Sequence, residues 1–172
     1  MWPTNSRRII DNMNTEQYKG GVSMPDAVIF TGIQACGKTS YYHKYFEDYA
    51  HISLDVLNTR NREKLLLEEC ISSGRSFVID NTDPTRADRE RYIIPAKNAG
   101  YKIIGYYFRS SISECIERNE KREGKAKVPR TAVAHTHAIL EMPDYSEGFD
   151  ELYYVYMENG NFVTEKWKEE KS

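Results

Sequence analysis

Residues 32–39 carry a spacing that binds phosphate in proteins. The segment reads Gly-Ile-Gln-Ala-Cys-Gly-Lys-Thr, which satisfies the pattern Gly-x-x-x-x-Gly-Lys-[Ser/Thr], and it follows an apolar run at 27–30. The glycines let successive backbone N–H groups and the next helix N-terminus face a phosphate. Lys38 is then expected to bridge the β- and γ-phosphates of ATP, and the Thr39 hydroxyl to bind Mg²⁺. The predicted nucleotide-binding residues of this segment are Gly32, Ile33, Gln34, Ala35, Cys36, Gly37, Lys38, Thr39 and Ser40.

Two aspartates stand where strands are predicted to end. Residues 51–54 read as a strand that ends at Asp55, and residues 77–79 as one that ends at Asp80. In an open α/β sheet the ligand lies beyond the carboxyl ends of the strands, so both carboxylates are expected beside the phosphate loop. We predict that Asp55 accepts the proton of an attacking hydroxyl, and that Asp80 holds Mg²⁺ or orients the acceptor. For each aspartate the alternative role is a helix cap.

Basic residues are concentrated at the end of a predicted helix and just after it. Arg118 and Arg122 lie four residues apart on one face of that helix, directly before a polar segment at 123–128. Between 118 and 130 there are six Lys and Arg residues against two Glu, whereas the whole chain carries a net charge of −2. We predict a lid at about 118–130 whose arginines bind the polyphosphate and neutralise the transferring phosphoryl group. A solvent-exposed helix face is the alternative.

The elements that must position these residues alternate between strand and helix. Short β-branched or aromatic runs are separated by segments of helical spacing, which is typical of βα units around a parallel sheet. Asn159-Gly160 predicts a hairpin turn between a last strand and its partner. The predicted fold class is α/β, a P-loop NTPase with three α/β/α layers, a mainly parallel five-stranded sheet and a helical lid. Strands are predicted at 27–30, 51–54, 77–79, 101–108, 151–157 and 162–167, and helices at 38–46, 58–72 with Asn58 as cap, 84–98, 110–122 and 129–141.

Length and composition exclude several classes of protein. The 172 residues suit one domain, and 24 Lys and Arg against 26 Asp and Glu exclude a strongly basic nucleic-acid binder. Three cysteines without a Cys-x-x-Cys pair argue against a disulfide framework and a zinc site. No apolar run approaches the roughly 20 residues that cross a bilayer. We therefore expect a cytoplasmic protein with no membrane partner.

Residues 1–23 differ from the rest because they show neither helical nor strand periodicity. We expect a flexible N-terminal arm there, followed by a single P-loop kinase domain at 24–172. One hypothesis is that the natural start is Met24, which directly precedes Pro-Asp and the first strand. An ordinary N-terminal arm is the alternative.

Several motifs between residues 26 and 157 occur together in one known family. They are the phosphate loop, the strand ending at Asp55, the string Asp-Asn-Thr-Asp-Pro-Thr-Arg at 80–86, the Arg118-Asn119-x-x-Arg122 segment, Val128-Pro129 and the turn at 147–150. With these motifs, residues 26–157 resemble the P-loop kinase family that includes the kinase domain of bacteriophage polynucleotide kinase and related bacterial kinases. The resemblance implies ATP and Mg²⁺ binding by Lys38 and Thr39, a general-base role for Asp55 toward a 5′-hydroxyl, and phosphate contact by Arg122 with Arg118 one turn before it.

Two positions depart from the family pattern. The phage-type enzyme has an arginine three residues beyond its base, which holds the 3′-phosphate of the substrate; here that position is Asn58, and Arg60 or Arg62 could substitute. Asp83 stands where related sequences usually have asparagine. The predicted substrate-binding residues are Asp55, Arg60, Asp80 and Arg86.

The function that the resemblance implies for these residues is that of an ATP-dependent kinase that phosphorylates the 5′-hydroxyl of a polynucleotide end. Two alternatives stay open: a kinase for a nucleoside, sugar or nucleotide sugar, similar to zeta-type toxins, and a module that binds ATP without catalysis. The spacing leaves open the choice of RNA or DNA, of ATP or GTP, and the oligomeric state.

Overall fold

A computed structural model describes residues 23–168 as a six-stranded sheet between two helical layers. The strands lie in the order β2-β3-β1-β4-β5-β6, with the first five parallel and β6 antiparallel to β5. The predicted α/β/α class is confirmed, but the predicted count of five strands is wrong because the hairpin partner β6 pairs along its whole length with β5. The strands are β1 (Asp26–Thr31), β2 (Ala50–Ile52), β3 (Phe77–Ile79), β4 (Lys102–Phe108), β5 (Glu151–Glu158) and β6 (Asn161–Lys166).

Six helices connect the strands of the described chain. Thr59 caps the start of α3, because its side chain accepts a hydrogen bond from Arg62 N. The predicted cap at Asn58 is therefore wrong. Asn58 instead ends α2 in the left-handed region, with φ of 65°. The helices are α1 (Lys38–Tyr45), α2 (Leu54–Leu57), α3 (Arg60–Ser73), α4 (Arg86–Asn98), α5 (Ile112–Glu120) and α6 (Arg130–Ala138), with single 3₁₀ turns at Gly124–Ala126 and Tyr145–Glu147.

Alternation along β1 sends side chains to two separate cores. Ala27 and Ile29 join the cluster under α3 and α4, while Val28 and Phe30 join the cluster under α1, α5 and α6. Period-two alternation of buried residues on both faces is the property of a strand covered on each side. The helices of both layers are therefore fixed to the same central strand that leads into the phosphate loop.

The register of the three strands β2, β3 and β1 brings their carboxyl ends to one edge. Ile29 pairs with Ile79, and Ile79 pairs with Ile52. The residues that follow these three positions must therefore emerge side by side, which brings the segments after β1, β2 and β3 to a common crevice.

A buried ion pair fixes the loop that leads into α4. Arg89 is fully buried and donates from Nε and Nη2 to the two carboxylate oxygens of Glu147, each at 2.8 Å. Its Nη1 donates to the carbonyl oxygens of Asp83 at 3.1 Å and Glu141 at 3.0 Å. One guanidinium therefore ties the loop after β3 to the segment before β5.

The expected arm at 1–23 falls outside the described residues except for Ser23. In the range 23–168 no helix is both long enough and apolar enough to cross a membrane.

Candidate active site

A cleft of about 940 Å³ lies at the carboxyl edge of β1, β2 and β3. The phosphate loop forms one wall, and residues after β2 and β3 form the others, while the segment at 122–128 reaches over it. Basic and acidic side chains line it in equal number. Its basic side chains are Lys38, Arg60, Arg122 and Lys125, and its acidic ones are Asp55, Asp80, Asp83 and Asp88.

The phosphate loop is held in shape by contacts from three other segments. Gly32 N donates to Thr82 O at 3.1 Å, and Ile33 N donates to Ser110 Oγ at 3.1 Å. Gly37 has φ of 100°, and a Cβ there would lie 3.2 Å from Cε1 of Phe162. The conformation and the close ring both favour glycine at this position.

Lys38 is buried and folded against its own loop. Its Nζ donates to the carbonyl oxygens of Gly32 at 2.9 Å and Ile33 at 2.8 Å, with Cys36 Sγ at 3.5 Å. The ammonium therefore lies at the centre of the loop. Of the nine predicted nucleotide-binding residues in this segment, the structure brings Gln34, Ala35, Gly37, Lys38, Thr39 and Ser40 to the cleft, and leaves Gly32, Ile33 and Cys36 in the wall behind it.

Thr39, Asp80 and His51 meet at one carboxylate oxygen. Thr39 Oγ1 donates to Asp80 Oδ2 at 2.7 Å, and His51 Nε2 lies 2.9 Å from the same oxygen. The imidazole is stacked on Tyr42 with ring centroids 3.9 Å apart. The side chain of Asp80 is 1% exposed, so these contacts fix its orientation. The sequence did not single out His51, because its place beside Asp80 depends on the pairing of β2 with β3.

The oxygen pair of Thr39 and Asp80 fits a magnesium ion. Mg²⁺ prefers hard oxygen ligands and usually takes one or two from the protein, with phosphate and water completing its six. Among residues 23–168 no cluster of three or more His, Cys, Asp or Glu side chains could hold a metal. The donor set thus suits an ion that arrives with a nucleotide rather than a resident ion held by the protein alone.

Asp55 lies in the first turn of α2 rather than at a strand end. The prediction that β2 runs to Asp55 is wrong, because β2 ends at Ile52 and a single helical turn begins at Leu54. Asn81 Oδ1 accepts a hydrogen bond from Leu54 N at 2.9 Å and so holds the start of this turn. The carboxylate of Asp55 is exposed and lines the cleft as expected.

A buried network connects that turn to Arg60. Glu63 is 3% exposed and accepts hydrogen bonds from Asn81 Nδ2 at 2.7 Å and Tyr92 OH at 2.8 Å. Arg60 Nη1 donates to Glu63 Oε2 and to Tyr92 OH, both at 2.9 Å. Half of the Arg60 side chain stays exposed, at 52%, on the cleft wall. The guanidinium is therefore held on one side and open on the other.

Arg86 does not reach the cleft. Its Nη1 donates to Ser146 Oγ at 3.2 Å and its Nη2 to Ser146 O at 3.0 Å. The prediction that Arg86 binds substrate therefore has no support from its position. α4 begins at a capping box formed by Thr85 and Asp88, and the side chain of Arg86 contacts the turn at 145–147.

The helix that leads into the predicted lid ends earlier than expected. The predicted helix at 110–122 stops at Glu120, and the side chain of the fully buried Asn119 exchanges two hydrogen bonds with the backbone of Val128. Arg118 and Arg122 therefore do not share a helix face. Arg122 lines the cleft and donates to Ala126 O at 3.3 Å, whereas Arg118 turns back to Cys115 Sγ at 3.6 Å.

Comparison with known proteins identifies a family and two curated relatives. A family model described as an AAA domain matches residues 58–143, which is half of the chain. A bifunctional polynucleotide phosphatase/kinase named in Acanthamoeba polyphaga mimivirus is 27% identical over 176 residues, with 96% of this chain and 42% of the relative covered. The protein of that name in Schizosaccharomyces pombe is 25% identical over 129 residues, with 72% and 32% covered. The chain thus spans well under half the length of these relatives.

Solved structures match the fold over most of the chain. Chaetomium thermophilum Kti12 in complex with ADP-AlF3 aligns with a TM-score of 0.57 and 18% identity, covering 76% of this chain and 88% of that one. A gluconokinase from Sinorhizobium meliloti aligns with a TM-score of 0.55 and 18% identity, covering 78% and 84%. At these identities the likeness shows the fold alone. The chain has the fold of a P-loop kinase, its resemblance to the polynucleotide kinase-like family is confirmed, and it belongs to the AAA domain family.

Proposed function

We propose that this chain transfers the γ-phosphoryl group of ATP to the 5′-hydroxyl of a polynucleotide end. The observation that carries the proposal is that Lys38 and Thr39 on one side, and Asp55 and Arg60 on the other, line one cleft. Its volume of about 940 Å³ is near the upper limit of small-ligand sites, roughly 300–1,000 Å³, so it has room for a nucleotide and part of an acceptor. The names of the two curated relatives support a polynucleotide as that acceptor.

The nucleotide side of the cleft binds and neutralises phosphate. Lys38 exchanges its contacts with the carbonyl oxygens of Gly32 and Ile33 for oxygens of the β- and γ-phosphates. Thr39 and Asp80 would hold Mg²⁺, which supplies positive charge to the phosphate oxygens. His51 keeps the Asp80 carboxylate in one orientation. Catalysis on this side therefore consists of positioning and charge stabilisation.

The acceptor side supplies a base and a cation. As the 5′-oxygen forms its bond to the γ-phosphorus, the bond from that phosphorus to the ADP oxygen breaks, and the hydroxyl proton passes to the Asp55 carboxylate. Arg60, held by Glu63 and Tyr92, presents its exposed edge to a phosphate of the acceptor strand. Arg122 and Lys125 approach the same space from the lid.

The test is transfer of label from [γ-³²P]ATP to a panel of 5′-hydroxyl oligonucleotides, nucleosides, sugars and nucleotide sugars. We expect label on oligonucleotides, a loss of about 10²- to 10⁴-fold in kcat with Asp55→Asn, and a loss of transfer with Lys38→Ala. Asp48→Asn and Lys64→Ala are matched controls, because both residues are exposed and lie away from the cleft.

Two results would contradict the proposal. Label on small molecules alone would identify a small-molecule kinase of the same fold. Retained ATP binding without transfer to any acceptor would identify a nucleotide-binding module. Full transfer by Asp55→Asn would remove the assignment of the base even if oligonucleotides are the acceptors.

A further inference from the structure

Asp83 has a buried carboxyl group in the cleft wall that makes no hydrogen bond to any residue between 23 and 168. The residue is 2% exposed, and its Oδ2 atom is buried without a partner in that range. Buried polar groups almost always have hydrogen-bond partners, and an exception calls for a physical reason. Because Asp83 lines the cleft, a molecule bound there lies close to this carboxyl group.

The backbone holds this carboxyl group in place. Asp83 has φ of 39°, in the left-handed region that few residues other than glycine adopt. The neighbouring carbonyl of Thr82 accepts from Gly32 N, and the carbonyl of Asp83 accepts from the buried Arg89. The backbone that carries the carboxyl group is thereby anchored between the phosphate loop and α4. A constrained residue at a ligand cleft is a common sign of a binding role.

Charged groups surround Asp83 from each element that packs near it. Burial, with Glu63 of α3 and Asp88 of α4, raises the pKa of Asp83 well above its ordinary value, against the opposing effect of Arg60 and Lys38. The same cleft also contains Asp55 and Asp80, and Arg122 and Lys125 of the lid. The protonated form is thus favoured, and a protonated carboxyl can donate a hydrogen bond, which a carboxylate cannot.

We propose that the carboxyl group of Asp83 donates a hydrogen bond to a phosphoryl oxygen of the bound substrate. Its electrostatic neighbours are Lys38 on the nucleotide side and Arg60 on the acceptor side, so the oxygen belongs either to the γ-phosphoryl group or to a phosphate of the acceptor. An ionised carboxylate at this point would repel either one. The inference rests on the proposed phosphoryl transfer, and it adds a donor that the reaction loses when Asp83 ionises.

Asp83→Asn and Asp83→Gly test the hydrogen bond, because both residues tolerate φ of 39°. Asparagine keeps a neutral donor at every pH, whereas glycine removes it. With oligodeoxyadenylate as acceptor, we expect Asp83→Gly to lower kcat/KM by about 10- to 100-fold. We expect Asp83→Asn to keep most of the activity and to abolish the decline in kcat/KM that the parent shows as the pH rises through the pKa of Asp83. Asp48→Asn, an exposed carboxylate outside the cleft, should leave the profile unchanged.

Two measurements distinguish the source of the phosphoryl oxygen. If it is the γ-phosphoryl group, Asp83→Gly weakens binding of the imido analogue AMPPNP and lowers kcat at saturating acceptor. If it belongs to the acceptor, the same change raises the acceptor KM and leaves AMPPNP affinity intact. The proposal is overturned if Asp83→Gly changes neither AMPPNP affinity nor the acceptor KM. It is also overturned if Asp83→Asn is as impaired as Asp83→Gly, or if the decline of kcat/KM at high pH persists in Asp83→Asn.

Failure of the proposed function gives a different pattern. In that case no acceptor is labelled, but AMPPNP affinity and the infrared C=O band of the protonated carboxyl still report on Asp83. Loss of that band in Asp83→Asn together with weaker AMPPNP binding in Asp83→Gly supports the hydrogen bond without any kinase assay. An unchanged AMPPNP affinity in an enzyme that labels no acceptor overturns it.

Discussion

Arg122 is the lid arginine whose side chain lines the cleft, whereas Arg118 is turned toward Cys115. If Arg122 neutralises charge on the transferring phosphoryl group, Arg122→Ala should lower kcat by about 10²- to 10⁴-fold, the range expected for a cation that stabilises such a transition state. The melting temperature should stay within a few degrees, because within residues 23–168 the guanidinium of Arg122 donates only to Ala126 O. The measurement is steady-state kinetics beside a thermal melt.

Arg118→Ala is the matched control on the same segment. Its effect on kcat should be much smaller, because its guanidinium contacts Cys115 and Glu114 instead of the cleft. Equal losses in the two variants would contradict the assignment of Arg122.

The residues of the site differ in how far the sequence could predict them. The position of Lys38 and Thr39 at the cleft was predictable, because the phosphate loop is a local motif defined by its spacing. His51 was not, because its contact with Asp80 follows from the register of two strands. The pairing of Arg118 with Arg122 failed because a side-chain contact of Asn119 with Val128, nine residues away, ends the helix. In both cases the difference between prediction and structure comes from a contact between residues that are apart in the sequence.

At the scale of elements, periodicity predicted which segments form strands and long helices, but it predicted few of their ends. β3 and the span of α4 to Asn98 agree with prediction. The short α2 was missed because a four-residue turn shows no periodicity, and its start is held by Asn81 from another loop. A helix of this length is stabilised by its surroundings rather than by its own sequence.

The buried pair of Arg89 and Glu147 should be the most sensitive contact between elements. Glu147→Ala leaves the guanidinium of Arg89 buried without its carboxylate, so we expect a loss of about 3–5 kcal/mol in the free energy of unfolding. Glu68→Ala is a matched control, since the pair of Lys64 and Glu68 is exposed and should contribute under about 1 kcal/mol. Urea denaturation measures both. Equal losses would show that the buried pair does not fix the loop.

At the scale of the whole molecule, the charge balance limits how the proposed acceptor binds. The chain has a net charge of −2, and besides Lys38 the basic side chains that line the cleft are Arg60, Arg122 and Lys125. Three phosphate contacts on a single strand predict a slope of about −2 for the logarithm of affinity against the logarithm of salt concentration. Fluorescence anisotropy with a 5′-hydroxyl oligonucleotide measures this slope. A slope near −4 would require phosphate contacts beyond these three.

The contact of the Phe162 ring with Gly37 has a consequence for when the phosphate loop becomes packed during synthesis of the chain. The phosphate loop lies at residues 32–39, but the ring that packs on it, and the Thr164 hydroxyl bonded to Tyr41 OH at 2.8 Å, come from β6. Residues up to about 164 must therefore be synthesised before the loop acquires these contacts. We expect nucleotide binding to follow synthesis of the hairpin of β5 and β6. Proteolytic cleavage at the exposed turn of Asn159 and Gly160 should weaken the packing on the phosphate loop, although the two lie about 120 residues apart.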